Sequence, residues 1–116
     1  MAISAFTPTL LLPTAFVASG SPASLFSIIG TPNGAVLRKV VFANTTGSPL
    51  GLVVYYLKVG DSVATRNEII PNVTILANST YVANEFNSMV MNLGDSLWAL
   101  ATAGSSITAT VSGFVY

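Results

Sequence analysis

The alternation of apolar and polar residues near the end of the chain is the feature that most restricts its fold. In the segment SSITATVSGFVY, residues 105–116, alternate side chains point to the same side of the chain if it is extended. A period of two over this length predicts a strand with one buried face. Gly113 predicts a bulge or a close approach of a neighbouring backbone within it. The inward set is Ile107, Ala109, Val111 and Val115, and the outward set is Thr108, Thr110, Ser112 and Phe114.

The rest of the chain shows similar short apolar runs and no sustained helical period. Gly, Pro, Asn and Ser interrupt these runs about every ten residues, a spacing typical of β-sandwiches and β-barrels. We therefore predict an all-β fold: a single antiparallel β-sandwich, jelly-roll or Ig-like, with about seven to nine strands and an N-terminal arm. Residues 1–20 form the arm and the first strand in this prediction, and residues 21–116 form the sandwich domain. A length of 116 residues suits one domain with its own core.

Two predicted strands, AVLRKVVFAN and LVVYYLKV, are oriented through their charged residues. Arg38 and Lys39 are adjacent, so strict alternation sends one of them to each face of the sheet. Lys58 is taken to mark the solvent side of the second strand, and a shift of one residue would reverse that assignment. The predicted inward set of this strand is Val53, Tyr55, Leu57 and Val59.

Charged residues make up only 7% of the chain, against about 25% in ordinary soluble proteins. The apolar share is 52% and the net charge is zero. A neutral surface with so few charges associates readily, so we expect a protein that works packed in an assembly. Such a surface has no long-range field to attract nucleic acid or an anionic membrane, and we expect neither as a partner.

The residue types that carry most enzyme chemistry are missing or isolated. The chain has no Cys and no His, which removes thiolate nucleophiles and the commonest general base and metal ligand. Asp61 and Asp95 each follow a glycine and are expected to cap turns. Glu68 and Glu85 are far from each other in sequence, so no carboxylate pair of the kind that cleaves glycosides is predicted. We expect no catalytic residue, no metal and no cofactor.

Aromatic residues leave two kinds of binding open. The adjacent pair Tyr55 and Tyr56 is suited to stacking bases on a sheet. Trp98 beside a Tyr or Phe is suited to holding a sugar ring. Packing in a core or an interface is the more frequent use of such side chains. A carbohydrate-binding sandwich that reads sugars through Trp98 therefore stays an alternative function.

The first twenty residues are apolar but predict neither a membrane span nor a leader. Pro8 and Pro13 interrupt the segment AFTPTLLLPTAFVAS, and the remaining runs are too short to cross a bilayer. The first charged side chain is Arg38, so no basic region precedes the apolar stretch. We expect these residues in the mature protein, and a secreted β domain stays the weaker alternative.

Three segments carry a family resemblance: RKVVFANTTGSPLGLVVYYLKVGDS, IIPNVTILANSTYV and LGDSLWALATAGSSITATVSGFVY. They contain an Ala-Asn-Thr turn after a strand, a proline-containing segment, a Ser-Thr turn, a Gly-Asp turn and a final strand rich in Thr and Val. These features fall at Ala43, Asn44 and Thr45, at Ile70 and Pro71, at Ser79 and Thr80, at Gly94 and Asp95, and at 107–115. Together, over about residues 36–116, they resemble a family of small virion proteins of tailed phages.

The resemblance implies a non-enzymatic structural protein of a bacteriophage virion, most often a capsid decoration or cement protein that forms a homotrimer. The implied partners are the major capsid protein or other virion proteins and further copies of the chain. The implied location is the virion, assembled in the host cytoplasm. Other members belong to tails, necks or fibres, which stays an alternative. We expect contacts with the capsid or a neighbouring subunit from the uncharged N-terminal segment, through Phe6, Leu10, Leu11, Leu12 and Phe16.

Overall fold

The computed structural model describes residues 7–29 and 33–116. These residues form nine β-strands and two short 3₁₀ helices, Thr65–Asn67 and Asn84–Phe86, and contain no α-helix. The strands are β1 (Thr7–Phe16), β2 (Ala23–Ser27), β3 (Gly34–Asn44), β4 (Leu50–Leu57), β5 (Glu68–Ile75), β6 (Thr80–Val82), β7 (Val90–Asn92), β8 (Ser96–Ala101) and β9 (Ile107–Val115). The predicted all-β class and strand number are confirmed.

The strands form two antiparallel sheets, as expected of a β-sandwich. The first sheet has the order β1-β9-β3-β6, and β7 also pairs with β3. The second sheet has the order β2-β8-β4-β5. Strand β1 pairs with β9 from Thr7 to Phe16, so the described part of residues 1–20 contributes a strand to the first sheet.

The core lies between the two sheets and is built from alternate residues of the inner strands. Phe42 of β3 and Leu52 of β4 have no accessible surface. The predicted inward set of β9 is confirmed, with three members fully buried and Val115 partly buried against the core. Each fully buried Val, Leu, Ile, Phe or Met side chain adds roughly 1.5–3 kcal/mol to the free energy of unfolding relative to an exposed one.

The predicted orientation of β4 is reversed in the structure. Leu52 and Val54 face the core beside the buried alanines of β8. Tyr55 and Leu57 lie on the far side of the sheet, yet they too are nearly buried. The prediction was wrong because Lys58 follows the last residue of β4, where a long side chain reaches solvent whatever the strand's orientation. Of the set predicted to point inward, the far side carries Val53, Tyr55 and Leu57, and Val59 lies beyond the strand end.

A β-bulge in β3 places two consecutive charges on the same side of the first sheet. Leu37 opposes Gly113 of β9 and Lys39 opposes Ser112, so Arg38 is an extra residue in the pairing. Arg38 and Lys39 are both exposed, whereas residues 37 and 40 on either side of them are fully buried. The prediction of one charge on each face was wrong, because the inserted residue interrupts the alternation.

Gly113 permits the close approach of β9 and β3 beside this bulge. A Cβ atom at this position would lie 2.3 Å from the carbonyl oxygen of Val36 and 3.2 Å from the Cα atom of Leu37. Both neighbours are backbone atoms, so rotation of a side chain cannot relieve the contact. The predicted bulge or close approach at Gly113 is confirmed.

Prolines lie in strands at the edges of both sheets. Pro8 and Pro13 belong to β1 at the edge of the first sheet, and Pro71 belongs to β5 at an edge of the second. Proline has no N–H to donate to a ladder, so it is tolerated at such edges and not in central strands. The pairing of β1 is also irregular, with register shifts on both sides of Leu12.

Buried Asn44 joins the end of β3 to two neighbouring segments. Its side-chain amide donates hydrogen bonds to the carbonyl oxygens of Ser48 at 2.7 Å and Ile75 at 2.9 Å. Its Oδ1 accepts from the backbone N–H of Thr46 at 2.9 Å and from the Thr46 hydroxyl at 2.8 Å. Both N–H groups and both lone pairs of this amide are therefore satisfied without any charge.

The change Gly113→Ala should lower the free energy of unfolding by roughly 1–3 kcal/mol, the usual cost of an extra methyl group in packed surroundings. Urea unfolding followed by Trp98 fluorescence measures this difference. Gly47→Ala is the matched control, because no atom lies within 4 Å of a Cβ at that position. Unchanged stability of the Gly113 variant would contradict the close approach of β9 and β3.

Candidate functional site

The side of the first sheet that points away from the core is the candidate functional site, called here the outer face. The pairing register arranges its side chains in four rows that run across β1, β9, β3 and then β6 or β7. The rows are Pro8, Phe114, Val36 and Val90; Leu10, Ser112 and Lys39 with Arg38 beside it; Thr14, Thr110, Val41 and Val82; and Phe16, Thr108, Ala43 and Thr80.

Half of the exposed large apolar side chains of the described residues lie on this outer face, along its two edges. Among the described residues, eight large apolar side chains are exposed, and four of them lie here. Leu10 is 54% and Phe16 57% exposed on β1, while Val82 and Val90 are exposed at the opposite edge. Single exposed apolar residues are ordinary, but several on one sheet face are typical of a surface that another molecule covers.

Neutral hydroxyl groups fill most of the space between these apolar side chains. The side-chain oxygens of Thr14 and Thr110 lie 3.3 Å apart, within hydrogen-bond distance. Thr108 and Ser112, on either side of Thr110 along β9, add two further hydroxyl groups and are only partly exposed. A hydroxyl costs far less to remove from water than a charge does, so this composition favours burial against a partner.

The outer face carries two cations and no carboxylate side chain. Arg38 and Lys39 lie on it through the bulge, and no strand of the first sheet contains an acid. In the described part of the chain the only ion pair joins Arg66 and Asp61, 3.7 Å apart and outside this sheet. The two cations of the outer face therefore lack a carboxylate partner within the described residues.

Arg38 borders a shallow hollow in the outer face, with a volume of about 490 Å³. Its walls are mainly apolar, contributed by Pro8, Leu10 and Phe114. The hollow therefore places a guanidinium group beside apolar side chains.

The structure places four of the five residues that the sequence predicted as assembly contacts, and these four do not share one surface. Leu10 and Phe16 lie on the outer face, whereas Leu12 is 8% exposed and belongs to the core. Leu11 is partly buried in a groove of about 560 Å³ between β1 and β2. Phe6 lies outside the described residues. The contacts themselves stay a prediction.

Sequence reasoning missed part of this site. The outward residues of β9 were predicted, but Arg38 and Lys39 were not placed together because strict alternation ignored the bulge. Val82 and Val90 belong to three-residue strands that share β3 as their neighbour. No periodicity can be read from segments this short, so their place on the outer face had no signal in the sequence.

Trp98 and Tyr55 are neighbours on the far side of the second sheet. The indole Nε1–H of Trp98 donates to the Ser96 hydroxyl at 2.9 Å, and the tryptophan is only partly exposed. Tyr55 is 7% exposed, and its burial, with a smaller contribution from the charge of Glu68, raises its pKa. A sugar ring needs an open aromatic surface to stack on, and this pair offers little accessible area.

Asp95 is the one fully buried carboxylate among the described residues and accepts hydrogen bonds from three donors in two segments. Its carboxylate accepts from the backbone N–H of Val59 at 3.1 Å, from the N–H of Asn92 at 3.0 Å and from the Tyr56 hydroxyl. It is 1% exposed, so a substrate has no access to it. It therefore links the end of β4 to the turn between β7 and β8, a wider role than the predicted turn cap.

The hydrogen bond between Tyr56 and Asp95 makes the stability of the fold depend on pH. Burial is the main cause that raises the pKa of Tyr56 above its ordinary value of 10.0, and the hydrogen bond to Asp95 and the carboxylate charge add to it. Folding therefore favours the protonated phenol. Its contribution to stability is complete below about pH 10 and is lost as the pH rises above that value. Tyr81 behaves alike, because its hydrogen bond to Glu85 raises the pKa of Tyr81 to about 12.

The change Tyr56→Phe should lower stability at pH 7 by roughly 1–3 kcal/mol, because it removes a donor from a buried acceptor. It should also reduce the loss of stability between pH 9 and pH 11, since the titrating phenol is gone. Urea unfolding at several pH values measures both effects. Tyr81→Phe, which removes an exposed hydrogen bond, should cost less at pH 7. An unchanged alkaline slope in the Tyr56 variant would contradict this assignment.

The described residues offer no cluster of metal ligands and no membrane-spanning helix. They contain no group of three or more Asp, Glu, His or Cys side chains arranged to hold a metal ion. No helix among them has the length and apolar character needed to cross a membrane. Comparison of the chain with known protein families, curated proteins and solved structures finds no match.

Proposed function

We propose that this chain is a non-enzymatic structural protein that acts by covering and joining other protein surfaces, specifically as a capsid decoration protein of a tailed phage. The observation that carries the proposal is the outer face. It combines exposed Leu10, Phe16, Val82 and Val90 with neutral hydroxyl groups and no carboxylate side chain. In a chain with 7% charged residues, such a face is best suited to lie against a partner.

The size of the outer face indicates how it would bind. Four strands about 4.8 Å apart and four rows about 7 Å apart give an area of about 540 Å². A stable protein interface buries about 800 Å² on each partner, so one outer face alone makes a weak contact. Many copies on one shell would add their contacts, and joining copies to each other strengthens each attachment further. A contact area this small favours a protein that works as an array of many copies on a large particle.

The virion setting is proposed from the sequence resemblance over about residues 36–116. Self-association, as a trimer in our proposal, would supply the second contact that the small outer face calls for. A tail, neck or fibre position would use the same face and the same physics. Imaging of the intact particle, with the density of this chain located, distinguishes a place on the capsid from a place on the tail.

The double change Leu10→Ser and Phe16→Ser should reduce occupancy on purified capsids about tenfold or more, because it removes the two largest exposed apolar side chains of the outer face. Sedimentation of capsids with bound protein measures occupancy, and thermal release of the genome measures shell stabilisation. Leu76→Ser is the matched control, since Leu76 is 64% exposed and lies outside the first sheet. Equal occupancy of the double variant and the wild type would remove the outer face from the proposal.

The N-terminal segment has a separate test. Strand β1 begins at Thr7, so deleting residues 1–6 spares the pairing of β1 with β9. If Phe6 and its neighbours contact the capsid or another subunit, the truncated protein should decorate capsids less and assemble less in sedimentation velocity. Full occupancy and full assembly of the truncated protein would confine the contacts to the folded part of the chain.

A further inference from the structure

We propose that the outer face selects a protein surface on which carboxylates stand among apolar side chains, and that Arg38 and Lys39 form ion pairs with those carboxylates on docking. This inference rests on the proposed function, because it assumes that the outer face is an interface. It adds the chemistry of the partner, which the apolar character of the face alone leaves open.

The first support is the backbone that positions the two cations. A regular strand would turn one of two neighbouring residues into the core, and the bulge at Arg38 turns both outward. The bulge lies against Ser112, beside the point where Gly113 lets the backbones of β9 and β3 approach closely. The positions of Arg38 and Lys39 are therefore set by the sheet and not by a loop.

The second support is that the chain's own acids are placed or engaged elsewhere. Asp95 is buried with three donors, Asp61 pairs with Arg66, and Glu85 accepts from the Tyr81 hydroxyl. Glu68 lies on β5 of the second sheet. No ion pair of Arg38 or Lys39 occurs among the described residues, so both cations remain available to carboxylates of a partner.

The third support is the setting of the cations among apolar side chains. The row of Pro8, Phe114, Val36 and Val90 runs along one side of them, and Leu10 shares their own row. A partner that covers these apolar groups also removes water from Arg38 and Lys39. Desolvating an unpaired cation is costly, whereas a carboxylate opposite it restores the lost interaction. The face should therefore reject apolar surfaces that lack acids.

Other occupants fit these observations less well. A nucleic acid would leave the apolar rows against phosphates, and two cations in a chain of zero net charge are too few to hold it. A second copy that docked through its own outer face would bring cations and no carboxylate side chain. A mixed apolar and acidic protein surface satisfies both the rows and the charges.

Model surfaces of known composition test the inference without the natural partner. Mixed monolayers that present methyl groups with carboxylates, with hydroxyls or with quaternary ammonium groups serve as probes in surface plasmon resonance at several salt concentrations. The wild type should bind the carboxylate surface about tenfold more tightly than the hydroxyl surface at low salt, and the preference should shrink as salt screens the pairs. Equal binding to these two surfaces would overturn the inference.

Two double variants with the same change in net charge assign the effect to the outer face. Arg38→Gln with Lys39→Gln should lose the carboxylate preference, whereas Lys58→Gln with Arg66→Gln should keep it. The reversal Arg38→Glu with Lys39→Glu should transfer the preference to the ammonium surface more strongly than Lys58→Glu with Arg66→Glu, which has the same net charge. Loss in the Lys58 and Arg66 variant as large as in the Arg38 and Lys39 variant would overturn the inference, because the effect would then follow net charge.

Further measurements separate the remaining outcomes. Tight binding of a DNA oligonucleotide that requires Arg38 and Lys39 would overturn the choice of a protein surface. Dissociation of an oligomer by the Arg38 and Lys39 variant in sedimentation velocity would assign the counter-charge to a second copy and also overturn it. Normal capsid occupancy of that variant would leave the proposed function intact and refute the ion pairs. Carboxylate preference without capsid binding would support the pairs and refute the capsid proposal.

Discussion

The close contact between the backbones of β9 and β3 at Gly113 governs what the first sheet turns outward. Because this position has no Cβ, the carbonyl oxygen of Val36 can approach to a distance that any other residue would exclude. Beside it the pairing gains one residue, and Arg38 and Lys39 emerge together. The buried residues Leu37 and Val40 keep their places in the core across the insertion, so packing is preserved while the surface pattern changes.

A second constraint follows from the scarcity of charge. The interior is held at two places by polar side chains whose hydrogen-bonding capacity is used locally, Asn44 at the end of β3 and Asp95 before β8. Asn44 does this as a neutral amide. Asp95 remains without a cationic partner and is stabilised by two backbone N–H groups and a phenol. The chain thus anchors its strand ends while its free cations stay at the surface.

Much of the fold could be predicted from the sequence because the strongest patterns belong to central strands. The alternation of β9 survives in the structure residue by residue, and Gly113 marks the irregularity that its position indicated. The orientation of β4 could not be predicted, because Lys58 lies past the strand end and does not show which alternate residues of the strand face the core. Arg38 was misplaced for a related reason, since an inserted residue is defined by the partner strand and not by its own segment.

The candidate site was predicted only in part for similar physical reasons. Leu10 and Phe16 were chosen for their apolar character and lie on the outer face, but Leu12 was chosen on the same ground and lies in the core. The register shifts of β1 on both sides of Leu12 decide which of these leucines turns inward. Val82 and Val90 join the site only through pairing with β3, which is a property of the folded sheet.

The prolines of β1 and β5 limit the growth of this molecule into continuous sheets at one edge of each sheet. A sandwich with so little charge has weak protection against joining its neighbours edge to edge into continuous ribbons, the route by which β proteins form fibrils. Pro8, Pro13 and Pro71 remove the main-chain donors that such a ribbon would need at these two edges. A ribbon that continued both sheets through β1 and β5 is therefore interrupted at these strands, although a chain with so few charges is otherwise cohesive.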